Sequence, residues 1–182
     1  MGSTKTRNVA KGSTAAQTLP EKTFIIDNGA YTMKAGYGRD ASTENYEKTL
    51  SACEIIPNAL AKTRGNGTVI GSQLSTLVTD WNEAMFRRPM EKGYIVNWEA
   101  QKAIWEHSFF DTKTVRTPNL LVANPEDTTL ILTEAPNALP VLQKNTDEIV
   151  MEEWGFGGYV RCVGKKGIFN LNGCDPRCVC FV

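Results

Sequence analysis

An α/β chain with a mixed sheet and flanking helices is predicted by three features of the sequence. Short runs rich in β-branched and aromatic residues come first, at 23–27, 54–58 and 68–71. Segments with helical apolar spacing come later, at 97–109 and 141–154. A further apolar run, 128–133, lies between those segments, so strands and helices alternate there.

Size and charge narrow the classes. The chain has 182 residues, of which 20 are Lys or Arg and 20 are Asp or Glu, so the formal charge is zero. That balance argues against a generic polyanion binder, which carries a basic excess. No apolar run approaches the roughly 18 residues of a membrane span. Residues 1–22 are polar, which predicts no secretory signal. They carry Lys5, Arg7, Lys11 and Lys22 against Glu21, with few large apolar groups, and predict a disordered basic tail. Such a tail is either a solvated extension or a nuclear address that touches nucleic acid.

Order is predicted from Thr23. Residues 23–27 form a strand, Asn28-Gly29 is a hairpin signal because both residues adopt φ > 0, and 31–37 return, ended by Gly36 and Gly38. Residues 39–54 are polar loop. Residues 54–58 make a third strand stopped by Pro57, 63–67 a turn, and 68–71 a fourth strand. Asn97 is an N-cap with Glu99 in the first turn. From there Trp98, Gln101, Ile104, Trp105, Ser108 and Phe109 share one face, and His107 lies off it. The second helix, 141–154, offers Leu142, Ile149 and Val150 to the core and stops at Gly155, Gly157 and Gly158.

The chemistry-bearing stretch is Asp27-Asn28-Gly29-Ala30-Tyr31-Thr32-Met33-Lys34-Ala35-Gly36. A tight hairpin tip presents backbone N–H groups to phosphate oxygens. Lys34 on the return strand can neutralise phosphate, and Asp27 at the end of the first strand can hold a hydrated magnesium ion. Asn-Gly hairpins are also common where nothing binds, so both readings stand on these residues alone. Cys174, Cys178 and Cys180 could share a soft metal, but a closed site needs a fourth ligand and His107 is remote, so no metal is expected.

That stretch resembles the first phosphate hairpin of the actin superfamily, Asp-Asn-Gly-Ser-Gly-x-x-Lys-Ala-Gly. Two later segments agree in order. Gly93-Tyr94-Ile95-Val96-Asn97-Trp98 with Ile104-Trp105-Glu106-His107-Ser108-Phe109 is similar to Gly-x-Val-x-Asn-Trp and Ile-Trp-x-His-x-Phe of that family. Leu130-Ile131-Leu132-Thr133-Glu134-Ala135-Pro136 is similar to its Leu-Leu-Thr-Glu-Ala-Pro strand end. The resemblance implies the N-terminal half of an actin-like, ribonuclease H-like ATPase fold over 23–163. Tyr31 and the basic tail resemble a nuclear branch of the actin-related proteins. Its members serve Swr-type chromatin remodelling complexes, which exchange a histone variant into nucleosomes. The implied partners are other subunits of such a complex, with histones or the nucleosome reached indirectly and no membrane; direct nucleic-acid contact stays open.

The sequence also departs from the family pattern. Ala30 stands where the family has a phosphate-binding serine, and Tyr31 where it has a glycine that lets backbone approach phosphate. Asp27, Gly29 and Lys34 remain as candidate nucleotide-binding residues. The resemblance implies ATP with magnesium only in a complete fold, since the second phosphate hairpin has no counterpart here. Family likeness is expected to stop at Val163, leaving 164–182 as an unrelated tail. Gly164-Lys165 can be encoded GGT AAG, a splice-donor pattern, so a truncated product reading into a retained intron is expected.

Three functions follow: a non-enzymatic scaffold that uses Trp81, Phe86 and Arg87-Arg88 as a partner surface, an actin-like ATPase, and an unrelated small enzyme. For the last, no catalytic constellation is visible, and Glu134 reads as a structural strand-end residue.

Overall fold

The computed structural model describes residues 20, 22–38, 53–64, 67–78, 80–115, 117 and 120–163. The predicted tails apart from residues 20 and 22, the cysteine cluster at 174–180 and most of the predicted loop 39–54 lie outside the described residues; Lys22, expected in the tail, instead begins the first strand, paired beside Thr128.

A five-stranded mixed sheet organises the larger core. It comprises β1 (Lys22–Asn28), β2 (Thr32–Tyr37), β3 (Glu54–Pro57), β9 (Thr128–Glu134) and β10 (Gly158–Val163), in the order β10-β9-β1-β2-β3. β1 runs antiparallel to β2 and parallel to β9, and β10 is parallel to β9. Phe24, Ile25 and Ile26 are all buried, because β1 is central and covered on both faces. Phe24 meets Tyr37 at 4.9 Å and Phe109 at 5.3 Å between ring centroids.

Two helices flank the sheet. α2 (Trp98–Trp105) starts at Asn97, whose side chain accepts the Ala100 N–H at 3.0 Å. A wider helical turn, Glu106–Phe110, continues it and brings Ser108 and Phe109 inward beside Gln101, Ile104 and Trp105. The predicted face is therefore correct, with Trp98 at its half-buried rim. α3 (Pro140–Asp147) has proline in its first turn and leads into a turn, Glu148–Glu153, that buries Ile149 and Val150. Leu142 is only half-buried. Gly155 stops the segment at φ 67°. Lys102 pairs with Glu153, joining α2 to this turn.

A second, smaller layer was only partly anticipated. β4 (Leu60–Thr63), β5 (Gly67–Ile70) and β6 (Met85–Arg87) form a sheet in the order β5-β4-β6. With α1 (Leu74–Leu77) it encloses Ala59, Ala61, Val69, Leu74 and Val78. β7 (Met90–Glu91) and β8 (Tyr94–Ile95) form a hairpin turned at Lys92 (φ 52°) and Gly93 (φ 87°). Positive φ at both turn residues matches the twist of a two-residue hairpin.

The opening hairpin corrects one expectation. Asn28 lies inside β1 and pairs with Met33, and neither Asn28 nor Gly29 has positive φ. The chain turns through Gly29, Ala30 and Tyr31 instead. Gly36 likewise lies within β2 rather than ending it.

Tyr159 on β10 supplies a pH prediction. Its hydroxyl is buried with no hydrogen-bond partner among the described residues, and burial pushes its pKa above the usual tyrosine range. The folded state therefore holds the proton more tightly than the unfolded state does. The associated stability is fully present below about pH 10, the unfolded value, and is lost as pH rises toward the folded value. Melting temperatures measured across that range should fall less steeply for Tyr159→Phe than for the parent chain.

Candidate functional site: the hairpin tip

The hairpin brings Asp27 and Lys34 opposite each other in register. Their side chains form an ion pair at 3.1 Å, as cross-strand opposite charges do. Asp27 Oδ1 also accepts the Thr133 hydroxyl at 2.8 Å, and Thr133 Oγ1 accepts the Asn28 N–H at 3.0 Å. The end of β9 thus orients the aspartate.

Gly29 is needed for space rather than for φ. Its N–H donates to the Asp27 carbonyl at 3.1 Å, and a Cβ there would stand 2.5 Å from the Thr32 carbonyl oxygen. The Gly29 carbonyl accepts Asn58 Nδ2 at 2.9 Å. Asn58 in turn exchanges two amide hydrogen bonds, each 3.2 Å, with Gln101 of α2. Both amides are fully buried, so the tip rests on a satisfied polar pair.

Tyr31 is 73% exposed. The Arg88 guanidinium lies 4.3 Å from its ring centroid, and Arg88 Nη1 donates to the Tyr31 carbonyl at 3.2 Å. That carbonyl also accepts the Asn58 N–H at 2.9 Å. The tyrosine therefore clasps the tip to the segment after β6. Cys53 lies near the ion pair; burial pushes its thiol pKa up, while Lys34 opposes that shift.

All three predicted binding residues, Asp27, Gly29 and Lys34, meet at this tip. Thr133, Asn58, Gln101 and Arg88 were not anticipated as parts of it. Gln101 carried a signal, as the one amide on a mostly apolar helical face. Glu134 lies at the end of β9, accepting Gln143 Nε2 at 2.8 Å with Arg161 at 3.7 Å, which suits a structural role. Trp81, Phe86 and Arg87 lie on the small sheet and the loop before β6.

Chemically, the Asp27 carboxylate already offsets the Lys34 charge that a phosphate would use, while the ammonium keeps further N–H donors. Ala30 offers no hydroxyl. Asp27 and Lys34 are thus compatible with magnesium and phosphate, while Ala30 and the Gly29 N–H, already bonded internally, fit them poorly.

The actin family model matches residues 18–171, a span that contains the hairpin, both helices and the whole five-stranded sheet and runs past Val163. The chain belongs to the actin family. It is 69% identical over 166 residues to "Actin-like protein arp6" of Aspergillus fumigatus, covering 90% of this chain and 36% of that relative. A protein of the same name from Emericella nidulans is 65% identical over 175 residues, covering 94% of this chain and 36% of the relative. "Actin-related protein 6" of Arabidopsis thaliana is 37% identical over 137 residues, covering 72% and 28%. The chain spans about a third of the length of the curated relatives it matches. The actin-like, mixed-sheet fold and the actin-related branch expected from the altered hairpin are both borne out.

Proposed function

We propose that this actin-family chain is part of a nuclear, non-enzymatic subunit of a Swr-type chromatin remodelling complex. In this reading it supports histone-variant exchange as a scaffold. One observation carries the proposal: the hairpin tip is already engaged by side chains of this same chain rather than left open for a phosphate. Lys34 is paired with Asp27, the Gly29 carbonyl is held by Asn58, and Tyr31 is clasped by Arg88. Ala30 replaces the hydroxyl that the family resemblance associates with phosphate. The high identity to relatives named for actin-related protein 6 supports the same branch.

A second reading, an actin-like ATPase, is favoured by the retention of Asp27 and Lys34. Equilibrium binding of labelled ATP with magnesium separates the two, with circular dichroism confirming a folded chain. The expected result is no saturable binding tighter than about 1 mM, the level of a weak small-molecule complex, with Lys34→Ala indistinguishable from the parent. Saturable, magnesium-dependent binding lost in Lys34→Ala would favour the ATPase. Affinity purification of the tagged chain from fungal nuclei tests the scaffold reading directly, and remodelling-complex subunits should co-purify.

A further inference from the structure

We propose that β6 and the loop before it bind an extended acidic segment of a partner protein. The proposal rests on the scaffold reading and names the chemistry of one partner. β6 is the edge of its sheet, pairing with β4 on one side and with no strand on the other among the described residues. Its three residues, Met85, Phe86 and Arg87, are all exposed, an unusual state for a strand. An open edge with unpaired backbone groups is a template for strand addition.

The side chains say what kind of strand it takes. Phe86 lies opposite Ala61 in register, and Ala61 belongs to the small core. Phe86 thus sits on the core-facing side yet remains 41% exposed. Trp81 stacks on it at 5.4 Å with an interplanar angle of 8°, and is itself 57% exposed. This stack is a flat apolar platform for one anchor of a partner. On the other side of the strand Arg87 and Met85 oppose Leu60 and Lys62.

Charge selects an acidic partner. Residues 60–88 carry Lys62, Arg64, Arg87 and Arg88 against Asp80 and Glu83. Glu83 pairs with Arg64 at 3.5 Å, and Asp80 accepts the Asn82 N–H at 2.9 Å. Arg87 and Lys62 have no carboxylate in ion-pair distance among the described residues. A strand alternating apolar and acidic residues satisfies both sides at once, since successive side chains alternate faces. A duplex nucleic acid would meet the arginines but not the strand edge or the apolar platform, and the chain as a whole carries no basic excess.

The test uses the full chain and a short blocked peptide in which glutamate alternates with valine and phenylalanine. Tryptophan fluorescence reports binding, and hydrogen exchange reports protection of the β6 amides. The expected result is saturable binding, weakened about tenfold by Arg87→Glu and similarly by Phe86→Ser, with the β6 amides slowed. Both substituted positions are exposed, and circular dichroism confirms folding of the variants. Equal binding of a peptide with lysine in place of glutamate, preference for duplex DNA, absence of saturable binding, or indifference to both substitutions would each overturn the proposal. Co-purification of remodelling subunits with a Phe86→Ser, Arg87→Glu chain in those cases shows that the scaffold reading survives while this surface assignment does not.

Discussion

Phe24→Ala is expected to remove about 3–5 kcal/mol of stability, the range for deleting a buried aromatic side chain. The ring is completely buried on the central strand, with β9 on one side and β2 on the other. It packs against Tyr37 of β2 and against Phe109 of the turn that continues α2. Truncation therefore opens a cavity where strand and helix layers meet, and the surrounding backbone is hydrogen-bonded on both sides and closes it poorly. Domains have only about 5–15 kcal/mol in total, so the variant should populate its unfolded state measurably without denaturant. Urea melts followed by circular dichroism give the number. Phe86→Ser, on the exposed edge strand, serves as the control and should cost less than about 1 kcal/mol, as surface substitutions do. A loss that small for Phe24→Ala would mean that the sheet is not centred on β1.

The difference between Phe24 and Phe86 also explains what was legible in the sequence. β1, β9 and α2 announce themselves because burial forces apolar residues into a period that a window can see. β10 was not anticipated. It follows a glycine-rich stop, carries Arg161, and none of its residues is fully buried. Its place beside β9 depends on β9 already being there. β6 gives no pattern because all three of its residues stay exposed, even Phe86 on the side that faces the small core. At the hairpin, local turn chemistry favoured Asn28-Gly29, and tertiary bonding overrode it. The Asn28 N–H is held by Thr133, 105 residues away, which keeps Asn28 in the strand. The same distinction divides the candidate site. Asp27 and Lys34 were readable because a hairpin places them face to face. Asn58, Gln101 and Thr133 reach the tip across long sequence separations that no local spacing encodes.

Those long-range contacts support the second large effect. Asn58→Leu is expected to destabilise the chain more than Gln101→Leu, each by at least about 1–3 kcal/mol, the cost of leaving buried polar groups unpaired. Leucine matches the shape of asparagine and falls one heavy atom short of glutamine, so the loss of hydrogen bonds dominates, with a small added cavity at Gln101. Gln101→Leu leaves the Asn58 side chain its bond to the Gly29 carbonyl but orphans Asn58 Oδ1. Asn58→Leu orphans Gln101 Oε1, leaves Gln101 Nε2 only the Met33 sulfur at 3.7 Å, and releases the Gly29 carbonyl as well. The double variant should cost less than the sum, because each single change strands the other partner, and the cycle should return a coupling of about 0.5–3 kcal/mol. Hydrogen exchange adds a local readout. The Asn58 amide, bonded to the Tyr31 carbonyl, should exchange faster in Gln101→Leu, since the tip rests on the same pair. Additive costs with unchanged exchange at Asn58 would show that Gln101 packs in the core without positioning the hairpin, and that the Arg88–Tyr31 clasp alone holds the tip in place.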